Sequence, residues 1–420
     1  MIRHSFFAVF LFLVYSCFSQ PDTVQRIVAG RSNSVEQQQK PYVILISIDG
    51  FRYDYAEKYG ANNLLSLAKE GVSAEAMIPS YPSLTFPNHY TIVTGLYPSH
   101  HGLASNYFYS SRRQQFYGMK NPAAFADGSW YGGTPLWVLA EQQQMLSAAF
   151  YWVGSEANIR DIYPTYYYSY NEMIPIERRI QIVVDWLKLP SEKRPHLITF
   201  YMSNVDHAGH ENGPDAPETG IAVRDVDTTI RKLYEVVKET GLPVNFIVVG
   251  DHGMTSIDTK KTLTLPASVD TNRFYIPRGV ELVELYAKNK DDIQPEYERL
   301  KKEEKEFTVY LKTNMPAHLN YGEKDDLYEV IGDIMLIPSW PKVFHFSNRS
   351  PNPGAHGFDP SLVKDMYTIF YAWGPAFKMN MQVPAFKNVN VYPVVTKILG
   401  LNYTEKIDGS PELANRILKP

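Results

Sequence analysis

Cysteine is almost missing: Cys17 is the only one in a chain of 420 residues. No intrachain disulfide can form, and any bound metal falls to His, Asp, Glu or hydroxyl groups. A surplus of positive charge is missing too, with 41 Lys and Arg against 45 Asp and Glu and a formal net charge of −4. A groove for a long nucleic acid needs excess Lys and Arg, so that partner is not expected, whereas a small anion held by cations is compatible. No repeat, heptad or low-complexity block is evident. The apolar stretch Ser5–Tyr15 is short for a bilayer span.

That stretch follows the basic start Met1-Ile2-Arg3-His4 and precedes Cys17-Phe18-Ser19-Gln20. The pattern predicts a secretory signal over residues 1–19, cut after Ser19. The mature chain would then be exported, periplasmic or extracellular, with no transmembrane domain. An uncleaved anchor and a buried N-terminal helix are the alternatives, and so is a lipid anchor at Cys17, against which Tyr15 is bulky.

What is present fits a folded enzyme-sized chain: 44% hydrophobic and 20% charged residues allow one large unit or two moderate ones with ample core. The 30 tyrosines read mainly as core and loop cover. Residues 20–40 are polar and Gln-rich and read as an N-terminal tail, ahead of a domain over 41–420. Its first element is Tyr42–Ile48, a continuous β-branched and apolar run of the kind that fills a parallel strand covered on both faces.

Similar runs recur at Ala148–Val153, Leu197–Met202, Val244–Gly250 and Met366–Trp373, with helical patterns at Asn62–Lys69, Ile176–Leu187 and Gly220–Glu239 between them. The alternation predicts an α/β fold, a central mostly parallel sheet with helices on both faces. Its ligands would gather at the carboxyl ends of the strands. Residues 263–350 differ, with a charged helical stretch between short strand candidates, and read as an inserted α+β lobe.

Four places put metal-type groups just after a strand or in a glycine-rich loop. Asp49-Gly50 leaves the first strand, although such a pair is a turn about as often as a ligand. Asp206-His207-Ala208-Gly209-His210 offers an Asp and a His four apart, or a solvated loop. Asp251-His252 ends an apolar strand between glycines, where an unpaired Asp-His would be costly. His356 lies between glycines, and alone would read as a surface turn. Together they supply three carboxylates and three imidazoles of the kind zinc takes. Thr85 stands ahead of Pro87, with Gly95 past the end of the predicted helix. The helix N-terminus would favour an alkoxide or phosphate there. On this segment alone, Ser83 or Thr85 as a plain N-cap is the better reading.

These residues resemble the nucleotide pyrophosphatase/phosphodiesterase family of the alkaline phosphatase superfamily. The resemblance is carried by Asp49-Gly50-Phe51-Arg52, Pro82-Ser83-Leu84-Thr85-Phe86-Pro87-Asn88-His89, Gly95-Leu96-Tyr97-Pro98-Ser99-His100-His101-Gly102, Tyr151-Trp152-Val153-Gly154-Ser155-Glu156, Asp206–His210, Asp251-His252-Gly253-Met254 and Gly354-Ala355-His356-Gly357. It spans residues 42–373. It implies an alkaline phosphatase-like fold and two zinc ions, one on Asp206, His210 and His356, the other on Asp49, Asp251, His252 and the Thr85 oxygen. It implies a catalytic Thr85 that carries a covalent intermediate. Asn106 and the Phe86 N–H would steady a phosphate oxygen, while Phe86, Tyr201 and Tyr170 would sandwich a nucleobase. The sequence departs at Gly357-Phe358-Asp359-Pro360, where a Tyr and an Asn are expected after the glycine.

The resemblance points to hydrolysis of nucleotide diesters and pyrophosphates to 5′-monophosphates. Two dications balance three carboxylates and one alkoxide, and no Arg stands beside Thr85 to clamp a dianionic monoester, so diesters are favoured. A phospholipid-headgroup or choline-ester diesterase is the alternative on the same scaffold, and a non-catalytic binding protein the alternative outside it. A sulfatase is excluded, because no Cys or Ser lies in the modification motif. The partner is a small phosphodiester, and a monomer is expected.

Overall fold

The computed structural model describes residues 23–420. The signal reading on 1–19 and the lipid anchor at Cys17 lie outside the described residues. Strand Tyr42–Ile48, buried at every position, runs parallel to Leu197–Met202 on one side and Val244–Val249 on the other. Ser147–Phe150 and then Tyr166–Tyr168 continue the parallel array beyond Leu197–Met202. Phe370–Trp373 closes antiparallel on Val244–Val249, and short edge strands bring the sheet to nine.

Strand alternation divides the molecule into two cores. Val43 and Leu45 face one, shared with helices Thr85–Thr94, Leu136–Gln142 and Val391–Leu399. Ile44, Ile46 and Ile48 face the other, against Asn62–Lys69, Ile176–Leu187 and Pro217–Lys238. Each fully buried Val, Leu or Ile contributes roughly 1.5–3 kcal/mol, and having both faces covered is why these strands read as unbroken apolar runs. The fold is the mostly parallel α/β sheet with helices on both faces that the pattern predicts. Among the described residues no helix is long and apolar enough to cross a membrane.

The segment read as a tail differs from that description within residues 23–40. Arg26–Ile27 pairs antiparallel with Tyr166–Tyr167. Asn33 is buried, its Nδ2 donating to Ser191 O at 2.8 Å and Arg194 O at 2.7 Å while its Oδ1 accepts from Leu146 N at 2.7 Å. Side-chain amides order this stretch where apolar periodicity does not. Residues 263–350 hold a four-stranded antiparallel sheet, Phe274–Tyr275, Val283–Ala287, Ile334–Pro338 and Phe307–Leu311, with helix Ile293–Glu303 on it and a core of its own around Val283, Leu285, Leu300 and Ile334.

Candidate active site

Three strand ends place the first groups. Asp49 follows Tyr42–Ile48, Asp251 and His252 follow Val244–Val249, and Leu197–Met202 leads into helix Asn204–Asn212. Asp206 and His210 therefore stand on a helix, not in the loop considered from composition. Spacing of four puts them on one face, a turn apart, with His210 Nε2 3.4 Å from Asp206 Oδ1. Gly50 makes this approach feasible. It sits at φ 68°, and a Cβ built on it would lie 2.7 Å from Asp206 Cα, so a side chain there would push the helix away.

Thr85 is the first residue of helix Thr85–Thr94, after Leu84 in extended conformation, and no side chain caps that end. Ser83 is used elsewhere, its Oγ donating to Phe358 O at 2.7 Å and accepting from Gly357 N at 3.2 Å. The N-cap alternative is thus not realised. Thr85 Oγ1 lies 3.2 Å from His252 Nε2. Phe358, where the sequence departs from the family, is buried and packs with Val343, Val363 and Met366, rooting the loop that carries His356.

The acidic and imidazole groups meet in one cleft. Asp206, His210 and His356 form one set of potential metal ligands, and Asp49, Asp206 and His252 another; Asp49, His89 and Asp251 form a third. His356 Nε2 is 3.1 Å from His210 Nε2 and 3.6 Å from Asp206 Oδ1. His252 Nε2 is 2.9 Å from Asp251 Oδ2 and 3.4 Å from Asp49 Oδ1.

The donor chemistry fits divalent cations. The Nδ1 atoms of His210, His252 and His356 face the carbonyls of Gly354, Gly253 and Ser83 at 2.8, 2.9 and 2.9 Å. A carbonyl only accepts, so each ring carries its proton on Nδ1 and turns a bare Nε2 into the cleft. The same cleft holds Asp49 Oδ1, Asp206 Oδ1 and Asp251 Oδ2, all buried and without a hydrogen-bond partner among the described residues. Lone pairs facing lone pairs at about 3 Å would be costly. A cation removes that cost.

Proton affinities report the same crowding. Burial, then the charges of Asp251 and Asp206, push Asp49 well above the usual carboxylate range. Burial, then the neighbours His252 and His210, push His356 well below the usual imidazole range, which keeps it neutral and able to ligate. Burial would lower His252, but Asp251 and Asp206 outweigh it and raise it.

Beside Thr85 opens a cavity of about 460 Å³, lined by Phe86, Met119, Phe125, Tyr151, Trp152, Glu156, Tyr170, Glu172 and Tyr201 together with Asp49 and Asp206. Phe86 packs 5.9 Å from Phe125 and 6.5 Å from Tyr117. Tyr201 and Tyr170 stand 5.9 Å apart at 63°, so they cannot both lie flat on one ring. The Tyr201 hydroxyl donates to Asp49 Oδ2 at 2.5 Å, a bond its reading as a base-stacking ring did not contain. The Phe86 N–H donates to Asn106 Oδ1 at 2.9 Å, so the two groups expected to share a phosphate oxygen are bonded to each other.

Glu156, Glu172 and His89 also belong to this site, and the sequence reading gave none of them a role. His89 follows Thr85 by four, one turn along the predicted helix, and that spacing is the available signal. Glu156 and Glu172 sit in loops with no periodicity to mark them.

The assembly has an alkaline phosphatase-like α/β fold with its Asp and His groups at the strand ends. The family described as type I phosphodiesterase / nucleotide pyrophosphatase matches residues 43–359, and the chain belongs to that family. It is 33% identical over 394 residues to the ectonucleotide pyrophosphatase/phosphodiesterase family member 1 of Mus musculus, covering 91% of this chain and 43% of that one. It is 34% identical over 394 residues to the venom phosphodiesterase of Macrovipera lebetinus, covering 91% and 46%. The chain thus spans less than half the length of these relatives. Among solved structures, human ectonucleotide pyrophosphatase/phosphodiesterase 5 superposes with a TM-score of 0.84 at 27% identity, over 91% of this chain and 100% of that one. An inactive murine form of the same protein, in complex with AMP, gives 0.83 at 27% identity, over 90% and 100%.

Proposed function

We propose that this chain is an exported, two-zinc phosphodiesterase and pyrophosphatase that cleaves nucleotide diesters and pyrophosphates to nucleoside 5′-monophosphates through a covalent intermediate on Thr85. The observation that carries the proposal is the place of Thr85 Oγ1, 3.2 Å from His252 Nε2, at the edge of a cleft where one oxygen of each of three aspartates is buried and unpartnered. Asp206, His210 and His356 would hold one zinc, and Asp49, Asp251, His252 and Thr85 the other. Zinc bound there supplies Lewis acidity, which lowers the pKa of a coordinated hydroxyl and neutralises charge on phosphate oxygens.

The chain's own groups do the rest. Thr85 Oγ attacks phosphorus in line, forming a Thr–O–P bond as the bond to the leaving oxygen breaks. Water then cleaves the Thr–O–P bond and regenerates the hydroxyl. The start of helix Thr85–Thr94 sets the positive end of its dipole beside the reacting oxygens. Asn106 Oδ1 is engaged by the Phe86 N–H, which leaves the Asn106 amide donors for a phosphate oxygen. The cavity walled by Phe86, Tyr170 and Tyr201 receives the base, a role supported by the AMP complex of the murine neighbour. Export is supported by relatives described as ecto- and venom enzymes.

One observation favours a second reading, a choline-ester diesterase. Glu156 and Glu172 place two carboxylates among the aromatic walls, a combination that suits a quaternary ammonium group. Turnover of a nucleotide aryl ester against glycerophosphocholine, with and without chelator, decides between them. Chelator-sensitive cleavage of the nucleotide ester at the higher kcat/KM supports the proposal, and turnover of neither substrate refutes it.

A further inference from the structure

Ser47 is the polar residue inside the buried run Tyr42–Ile48. By strand alternation it faces the same side as Val43 and Leu45, toward helix Thr85–Thr94. There its Oγ meets His89 Nε2 at 2.8 Å. On the other edge of the ring, His89 Nδ1 is 2.9 Å from the carbonyl oxygen of Thr85 and 3.3 Å from Asp251 Oδ2. A carbonyl and a carboxylate both accept, so the proton sits on Nδ1 and the Ser47 hydroxyl donates to Nε2. The ring is completely buried. It is wedged edge-on between Trp152 and Tyr201, each at 5.2 Å, and the Trp152 indole N–H donates to His89 O at 3.0 Å.

We infer that His89 is a positioning residue that ties the first turn of the Thr85 helix to the Asp251 carboxylate, fixing the distance between nucleophile and cation site. The inference rests on the proposed function above. Asp251 is held at Oδ1 by the Gly50 N–H at 3.1 Å, and the N–H edge of His89 faces its Oδ2. Nδ1 of His89 stands 3.3 Å from Oδ2, a polar contact and not a hydrogen bond, so Oδ2 stays open toward the cleft. The contact to Thr85 O works on the residue that would carry the nucleophile. One side chain thus sets both halves of the reacting geometry without touching substrate, and its ring packs against two aromatics of the substrate cavity.

The test compares His89→Asn with His89→Gln. An Asn amide reaches the place of Nδ1 and can donate to Thr85 O and Asp251, whereas a Gln amide reaches the place of Nε2 and cannot. With a nucleotide aryl ester, His89→Gln is expected to lower kcat by about tenfold to a hundredfold at unchanged KM. Zinc affinity, titrated with a chromophoric chelator, is expected to fall with it, while His89→Asn keeps most of both. Wild-type kcat and zinc affinity in His89→Gln would overturn the inference, as would equal losses in the two variants that track only melting temperature. Should His89→Gln fail to fold, Ser47→Ala carries the test. Lower kcat at unchanged KM then supports the inference, and wild-type kcat and zinc affinity overturn it. If the wild type cleaves no phosphodiester, the functional proposal fails first, and the zinc affinities of Asn against Gln still decide the role of His89.

Discussion

Asp251 in the cleft and Glu284 on strand Val283–Ala287 are both buried carboxylates, and their surroundings are opposites. Glu284 is met by the protein itself: Tyr321 Oη and Gly332 N donate to Oε1 at 3.1 and 3.0 Å, and Tyr286 Oη lies 3.0 Å from Oε2. Tyr286 also donates to Val330 O at 2.7 Å. Its single proton serves that carbonyl best if Glu284 is protonated and donates from Oε2. Burial raises the Glu284 pKa to about 7, consistent with that arrangement. Asp251 instead keeps Oδ2 unpartnered, beside the equally unpartnered Asp49 Oδ1 and Asp206 Oδ1. A carboxylate that the protein satisfies is structural; three that it leaves facing one another are prepared for something absent from the chain. Buried polar groups are otherwise almost always paired.

The sharpest way to break this contrast is at Thr85. Thr85→Ala should cut turnover by roughly a thousandfold or more, because the nucleophile is lost, yet leave the metal-binding side chains and the bound zinc in place. Substantial residual hydrolysis would remove the covalent route. Next in size is the effect of chelation on the fold. Stripped of metal, the cleft should lower the melting temperature, and the loss should be smaller at an acidic than at an alkaline pH. The sign follows from Asp49, whose folded pKa stands above its unfolded value: the native state binds the extra proton, so stability rises as pH drops. A melting curve indifferent to chelator at both pH values would mean that the unpartnered oxygens carry no cost.

Glu284→Gln tests the other half. Between the ordinary 4.5 and about 7 the folded protein holds a proton on Glu284 that the unfolded chain has released, so the wild type loses stability as pH rises through that window. The glutamine variant keeps the neutral hydrogen-bond pattern and should be flatter, gaining on the order of 3 kcal/mol relative to wild type above pH about 7. Parallel stability curves for the two proteins would show that the buried Glu284 does not titrate there. The smallest effect is expected at the exposed margin of the cleft. Tyr170→Ala should raise KM for a nucleotide ester by about 1 kcal/mol, roughly fivefold, at unchanged kcat. An equal rise for an ester lacking a base would take Tyr170 out of the base pocket.

Much of the sheet could be read from the chain because both of its faces are covered. Runs such as Tyr42–Ile48 and Leu197–Met202 carry their burial in composition, and Asn62–Lys69 and Ile176–Leu187 carry theirs in a helical stripe. Helix Asn204–Asn212 was not legible, because Asn, Asp, His and Gly favour turns. Packing at glycine positions sustains it, with a Cβ on Gly209 falling 3.1 Å from Met254 Cγ. The order of residues 23–40 was hidden for a similar reason, since it depends on the amide of Asn33 and not on a pattern. Individual Asp and His residues of the cleft could be named from motifs. The contacts of His89 with Ser47 and Thr85, the Tyr201–Asp49 bond and the Asn106–Phe86 bond could not, because each depends on which groups meet across the fold.

The central claim is that the cleft exists to hold a pair of cations beside Thr85, and metal analysis of the purified, active protein tests it most directly. Two equivalents of zinc per chain, removed together with activity by chelator and restored together on adding zinc back, is the predicted result. Active protein that contains no stoichiometric metal would contradict it.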